Sequence, residues 1–211
     1  MDSHITFVLD SSGSMAKIRD DTVGGFNSFL EDQRTEEGSA SVSLYEFNTN
    51  VETIYEGRRL TDAEELDEEN YIPGGRTALY DAIVTAIDGT NSYLASLDEG
   101  EPDSVVVVVL TDGKENASET SQESVQGIVE YWREEFEWEF LFIGANQDAA
   151  LTAERMGMDA QKSLDMDHSG EGAEAAYDST SARVSEVRSM GHTEGFDELD
   201  RKRQEEAGDS Q

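Results

Sequence analysis

The sequence predicts an open, doubly wound α/β domain with a mostly parallel central sheet, one antiparallel edge strand and helices on both faces. Three observations predict it. Short, continuous apolar runs, residues 5–9 and the valine-rich 105–110, suit strands covered on both faces rather than half-exposed ones. Amphipathic helical stretches alternate with these runs. Both runs end abruptly at acid-bearing turns, Asp10-Ser11-Ser12-Gly13-Ser14 and Thr111-Asp112-Gly113, and open α/β sheets bind their ligands at the carboxyl ends of their strands.

Taken in order, the first strand is followed by a helix over about residues 16–33, with Val23, Phe26 and Leu30 on one face. Residues 41–47 and 51–55, separated by Asn48-Thr49-Asn50, read as an antiparallel hairpin at the sheet edge. A second helix covers about 77–97, with Leu79, Ala82, Ile83, Ala86 and Ile87 facing inward. After the valine strand, Thr120 and Glu123 have capping-box spacing for a third helix running to about residue 135. Residues 140–143 form a further strand, 149–156 a short helix stopped by Gly157, and 163–164 a short strand. The last helix fits 172–188. Gly24-Gly25 sits inside a helical pattern, where close packing is the expected reason. The domain spans residues 1–190, and the polar, acidic stretch 191–211 is expected to be a disordered tail.

Charge narrows the function classes. The 211 residues carry 48 acidic and 15 basic side chains, a formal net charge of −33. Only four of those cations are lysine against eleven arginines. Acidic residues occur along the whole chain, which reads as a surface adapted to high salt: a protein of an extreme halophile, haloarchaeal or from a haloarchaeal virus. The plainer alternative is an ordinary acidic protein with an acidic tail. Nucleic acid and anionic membranes are both poor partners for such a surface, since each needs a basic patch. With no cysteine there is no disulfide or thiolate metal site. The amino terminus is too short in apolar residues for a signal peptide, and no stretch approaches spanning length. A cytoplasmic or virion-associated location is expected.

The loop after the first strand sets Asp10, Ser12 and Ser14 two residues apart, with Gly13 permitting the turn that gathers them. Carboxylate and hydroxyl oxygens are hard ligands suited to Mg²⁺. One loop cannot fill an octahedral shell; Asp112 from the neighbouring strand end and Thr77 from Pro73-Gly74-Gly75-Arg76-Thr77 can add to it. Each piece also has a bland explanation. Asp10-Ser11-Ser12 can cap the following helix, Thr111-Asp112-Gly113 can be an ordinary turn, and Thr77 can cap its own helix.

Together, Asp-x-Ser-x-Ser after the first strand, a Thr after a Gly-Gly loop, and Thr-Asp-Gly after a valine-rich strand resemble the metal-ion-dependent adhesion site (MIDAS) of von Willebrand factor type A domains. The phrase Gly74-Gly75-Arg76-Thr77-Ala78-Leu79-Tyr80-Asp81-Ala82-Ile83 resembles bacterial, archaeal and phage members. Phe142-Ile143-Gly144-Ala145-Asn146-Gln147-Asp148-Ala149 is similar to a small stand-alone subgroup. The resemblance covers about residues 3–190. It implies that Ser12, Ser14 and Thr77 ligate Mg²⁺ (or Mn²⁺) by hydroxyl, with Asp10 and Asp112 holding it largely through water. Such a shell leaves the cation poorly neutralised, so it attracts an Asp or Glu carboxylate of a protein partner. The implied function is metal-dependent docking, not catalysis. Arg76 and Lys114, beside Thr77 and Asp112, are exposed cations that could assist an acidic ligand or be plain surface charges.

Two other function classes compete. Phosphoryl transfer of the haloacid dehalogenase type also starts from an Asp after the first strand, but wants a second acid where Ser12 stands and a placed lysine; only Lys114 and Lys162 are at hand. A hydrolase triad lacks a Gly-x-Ser-x-Gly elbow, and His4, His168 and His192 are not positioned by any motif. No Walker loop or dinucleotide fingerprint is present. A structural subunit of a virion or cytoplasmic assembly, with an incidental metal site, is the remaining alternative. The acidic stretch 62–70 lacks EF-hand spacing and reads as solvated surface.

Overall fold

The computed structural model describes residues 1–98, 100, 102–146 and 148–209. Six strands form one sheet: β1 (Ser3–Asp10), β2 (Ala40–Phe47), β3 (Val51–Arg59), β4 (Ser104–Thr111), β5 (Glu139–Ala145) and β6 (Ser163–Met166), in the order β3-β2-β1-β4-β5-β6. All neighbours pair in parallel except β2 and β3, the expected edge hairpin. β1 and β4 lie side by side at the centre, with Leu9 opposite Leu110. This register puts the two acid-bearing turns next to each other.

Alternation explains why the apolar runs are continuous. Successive side chains point to opposite faces of a strand, so Val106, Val108 and Leu110 enter one core and Val105, Val107 and Val109 the other. The first core is roofed by α1 (Arg19–Thr35) and α5 (Gly170–Met190), the second by α2 (Leu79–Ala95), α3 (Gln122–Glu135) and α4 (Ala149–Arg155). Phe7 is the centre of the first core: its ring meets Phe26 edge-on at 5.2 Å and stacks with Tyr177 at 6.1 Å. A buried ring of this kind contributes roughly 2–3 kcal/mol through area alone. Gly25 makes the α1–α5 approach possible, since a Cβ there would stand 2.1 Å from the Tyr177 ring. Gly24 has open space instead.

Two local expectations change. The third helix starts one residue later than the capping box suggested, because the Asp81 carboxylate accepts the Thr120 N–H at 2.9 Å. Ser121 takes the cap and accepts the Ser124 N–H. The larger correction concerns residues 191–211. Instead of a disordered tail, α6 (Glu198–Asp209) folds back onto α5 and β6, with Asp200, Gln204 and Ala207 buried; residues 210–211 lie outside the described ones. Phe196, just before α6, enters the first core, and the helix itself is anchored by polar side chains. Asp197 Oδ1 caps the helix by accepting from Leu199 and Asp200 N–H, and Gln204 Nε2 donates to Gly172 O at 3.1 Å. Hydrophobic periodicity cannot register a helix docked by such bonds. No helix among the described residues is long and apolar enough to cross a membrane.

Candidate functional site

The site lies where the central strands end. Asp10 closes β1 fully buried, and its Oδ1 accepts the Ser12 N–H at 2.6 Å, which bends the chain sharply after the strand. A short 3₁₀ helix, Gly13–Ile18, follows and is pinned by the buried Met15 and Ile18. The Gly-Gly loop is stitched alongside: Gly74 N–H donates to Ser11 O at 2.8 Å and Gly13 N–H to Gly75 O at 3.2 Å. Gly75 adopts φ +80°, and a Cβ there would meet Thr49 Oγ1 at 2.8 Å, so both its conformation and its space call for glycine. Thr77 is then tied to the third loop by a reciprocal pair, its N–H to Asn116 Oδ1 and the Asn116 N–H to its carbonyl.

These bonds bring all five expected residues into one place. Ser12 Oγ lies 3.2 Å from Ser14 Oγ, which donates to Asp112 Oδ1 at 2.6 Å. Asp10 Oδ2 accepts from Thr111 Oγ1 at 2.5 Å. A Cβ on Gly113 would stand 2.9 Å from Thr77 Oγ1 and 3.6 Å from Asp10 Oδ2, so the Thr77 hydroxyl and the Asp10 carboxylate flank the same glycine. Asp10, Ser12, Thr77 and Asp112 are buried, whereas Ser14 is exposed at the rim.

The bland explanations lose ground here. Ser12 occupies the N-cap position of the 3₁₀ helix, yet its side chain makes no capping bond. The N-cap of α2 is Ala78, not Thr77. The hydroxyls are therefore not consumed by helix ends. Electrostatics point the same way. Burial pushes the Asp10 carboxyl up to about 6 against the bonds from Thr111 and Ser12, and the nearby Asp112 adds to the rise. Burial also raises Asp112, opposed by Ser14 and His168. Two neighbouring carboxyls whose charged forms burial disfavours make a place that an added positive charge would stabilise.

Several participants escaped the sequence. Tyr71, from the acidic 62–71 region, buries its ring and donates its hydroxyl to Asp10 O at 2.6 Å. Asn146 Nδ2 donates to Asp112 O at 3.1 Å. Its neighbour Gln147, part of the phrase at 142–149, lies outside the described residues. Most unexpected is His168, whose Nε2 stands 2.8 Å from Asp112 Oδ2. No motif connects it to the strand ends; only the β6–α5 turn does. The remaining candidates fall elsewhere. His4 sits within β1, buried between Ser41 and Ser43, and His192 is exposed beyond α5. Lys162 pairs with Glu139 at 2.5 Å where β5 and β6 begin, at the opposite end of the sheet. Lys114 is exposed, and Arg76 is bonded to Asn116 O.

The donor chemistry fits a small divalent cation. Adjacent ligands of an octahedral ion with bonds near ~2.1 Å stand about 3 Å apart, which is the spacing of Ser12, Ser14 and Asp112 given above. Asp112 Oδ2 is buried, with the His168 imidazole 2.8 Å away. Among the described residues no three carboxylate or imidazole side chains form a metal-holding group by themselves, so a cation here would depend on the hydroxyls as well.

Comparison with known proteins agrees with the architecture. The family model of the von Willebrand factor type A domain matches residues 4–171. Similar solved structures include proximal thread matrix protein 1 from the mussel byssus, with a TM-score of 0.59 and 15% identity over 87% of this chain and 46% of that one. Another structure of the same protein has a zinc-occupied MIDAS motif, with a TM-score of 0.59 and 14% identity over 84% of this chain and 46% of that one. The PilB minor pilin of Streptococcus sanguinis, as a D319A mutant, gives 0.57 and 15% over 88% and 62%. At these identities the likeness speaks for the fold, and the chain spans less than two thirds of each of these proteins. No curated protein matches the chain.

Proposed function

Because the chain belongs to the von Willebrand factor type A domain family, we propose that Asp10, Ser12, Ser14, Thr77 and Asp112 hold a divalent cation, Mg²⁺ or Mn²⁺ by the family resemblance, and that the site docks an Asp or Glu carboxylate of a protein partner. The observation that carries this reading is the convergence of three loops whose hydroxyls are spared from helix capping. A cation bound there would supply the attraction for an incoming carboxylate oxygen. The chain's own residues do the positioning: Thr111 and Ser12 orient Asp10, Asn116 orients Thr77, and Ser14 orients Asp112. Thr77 and Asp10 share the space that Gly113 leaves free.

We read the role as binding rather than catalysis, in keeping with similar structures named as a matrix protein and a pilin. Phosphoryl transfer has little support, since Lys162 is paired at the far end of the sheet and a hydroxyl stands where a second acid would be needed. The charge of −33 opposes an acidic partner at long range unless salt screens it; docking is accordingly a high-salt function, consistent with the halophilic reading of the surface.

Calorimetric titration of Mg²⁺ and Mn²⁺ into chelator-stripped protein in molar KCl tests the proposal. One saturable site is expected, lost in Asp10→Ala and weakened at least tenfold in Ser12→Ala. Folded protein that binds neither of these ions nor Zn²⁺ would overturn the reading and favour a structural subunit.

A further inference from the structure

The turn between β6 and α5 brings a nitrogen donor to the cluster from outside the five-residue motif. His168 Nε2 and Asp112 Oδ2 face each other at 2.8 Å, at ion-pair distance. Both atoms are sealed from solvent, and each is the other's partner. A cation entering between them would meet both at the spacing they already have. From Ser12 Oγ to Ser14 Oγ, from Ser14 Oγ to Asp112 Oδ1, and from Asp112 Oδ2 to His168 Nε2, the steps are 3.2, 2.6 and 2.8 Å. All three are close to the ~3 Å edge of an octahedral shell.

The imidazole is held there by a constrained turn. Lys17, on the 3₁₀ helix that begins one residue after Ser12, donates its Nζ to His168 O at 2.7 Å. Asp167 N–H donates to Gln204 Oε1 of α6 at 2.9 Å, so the unexpected tail helix grips the residue before His168. On the other side Ser169 caps α5, its hydroxyl accepting from Gly172 N–H. Gly172 is packed so tightly that a Cβ would stand 2.2 Å from Asp167 O.

The geometry points to His168 as a further ligand of the cation, donating through Nε2, and to Zn²⁺ rather than Mg²⁺ as the ion that this donor favours. The inference rests on the metal-site reading above. Imidazole is a good ligand for zinc, whereas Mg²⁺ prefers oxygen and keeps its waters. One nitrogen among oxygens therefore shifts selectivity without altering the rest of the shell. Lys17 and Gln204 act as positioning residues for the turn.

The test is a pair of titrations on the chelator-stripped full chain in molar KCl, with Zn²⁺ read by competition against a chromogenic chelator and Mg²⁺ read by calorimetry. His168→Ala should lower Zn²⁺ affinity about 10–100-fold, the range typical of losing a supporting metal partner, and leave Mg²⁺ within about twofold. His168→Gln, which keeps a polar side chain against Asp112, should behave the same way and guards against a folding defect in the alanine variant. His192→Ala should change neither ion. With Co²⁺ as a paramagnetic probe, one imidazole should show strongly shifted ring protons that vanish in His168→Gln. If wild type binds both ions and neither His168 variant alters the Zn²⁺ to Mg²⁺ preference, the inference falls while the metal site stands. If Zn²⁺ binding survives Asp10→Ala unchanged, the zinc sits elsewhere and the inference also falls. If folded wild type binds neither ion, the metal-site reading itself fails.

Discussion

The two ends of the central sheet treat buried polarity in opposite ways. Where the strands begin, every polar side chain named here finds a partner. Ser3 bonds Ser104 at 2.9 Å, Thr6 bonds Thr90 at 2.6 Å, His4 lies between Ser41 and Ser43, and Lys162 pairs with Glu139. Where the strands end, Asp10, Ser12, Ser14, Thr77 and Asp112 gather from three loops, and Asp112 Oδ2 meets the His168 imidazole at 2.8 Å. A closed network of neighbouring pairs specifies packing, while several hard oxygen atoms gathered from three loops about one point specify a ligand. Burial of a polar residue is thus a poor sign of function by itself. His4 and His168 make the point, since one has both ring nitrogens within bonding distance of hydroxyls and the other faces only an acid.

The closed end should be the more sensitive to acid. Burial pushes the His4 imidazole down to about 3 from its ordinary 6.5. The unfolded chain takes up a proton there as the pH falls through 6.5, while the folded chain stays neutral until about 3. Between those values the unfolded state binds more protons, so this histidine costs stability progressively on acidification. At about 1.4 kcal/mol per unit, the loss near pH 5 is about 2 kcal/mol. Urea denaturation of wild type and His4→Gln across pH 5–8 isolates the effect from the many carboxylates. The stability difference between the two should change by that amount in favour of the glutamine as pH falls. A pH-independent difference would mean that His4 is not held neutral.

Legibility followed the same division. The sheet could be read because buried parallel strands need continuous apolar runs, and the hairpin because its turn is polar and short. Asp10, Ser12, Ser14, Thr77 and Asp112 could be read because a motif fixes their order in the chain. His168 could not: it reaches Asp112 only through a turn whose path depends on Lys17 and Gln204, residues with no pattern of their own. Tyr71 was hidden by its acidic surroundings. The tail helix was hidden because, apart from Phe196 before it and Ala207 within it, its anchors are amide and carboxylate bonds, which leave no periodic signature in an acidic sequence.

The open end should be sensitive to added volume. Gly113 has room for no Cβ, because Thr77 Oγ1 would lie 2.9 Å away and Thr77 Cγ2 3.5 Å away. Gly113→Ala must therefore push Thr77 aside. Overpacking of this kind costs roughly 1–2 kcal/mol, read as a lower urea midpoint, and cation affinity should fall more than tenfold. Gly74, on the adjoining loop, has nothing within 4 Å of a built Cβ, so Gly74→Ala is the matched control and should change neither quantity much. Undiminished affinity in Gly113→Ala would remove Thr77 from the site.

The smallest expected effect has the opposite sign. In the cation-free protein Asp10 is a buried acid raised to about 6 by burial, with Asp112 adding to the rise. Its folded form holds a proton more readily than the unfolded chain between the ordinary 3.8 and about 6. The stability it lends in acid is accordingly lost as the pH rises through 6, leaving a net cost at neutral pH. Asp10→Asn removes that charge and keeps most of the bonding: its Oδ1 can still accept from Ser12 N–H, and its amide can donate to Thr111 Oγ1, whose own proton can go to Gly113 O, 3.2 Å away. The variant should be more stable than wild type without metal by ~1 kcal/mol, allowing for imperfect rebonding, and should gain nothing when metal is added. Chemical denaturation near pH 7.5, with chelator and then with Mn²⁺, measures both halves. A variant less stable than wild type under chelator would mean that the Asp10 carboxylate is already satisfied by its neighbours, and the contrast between a closed and an open end of the sheet would lose its clearest energetic support.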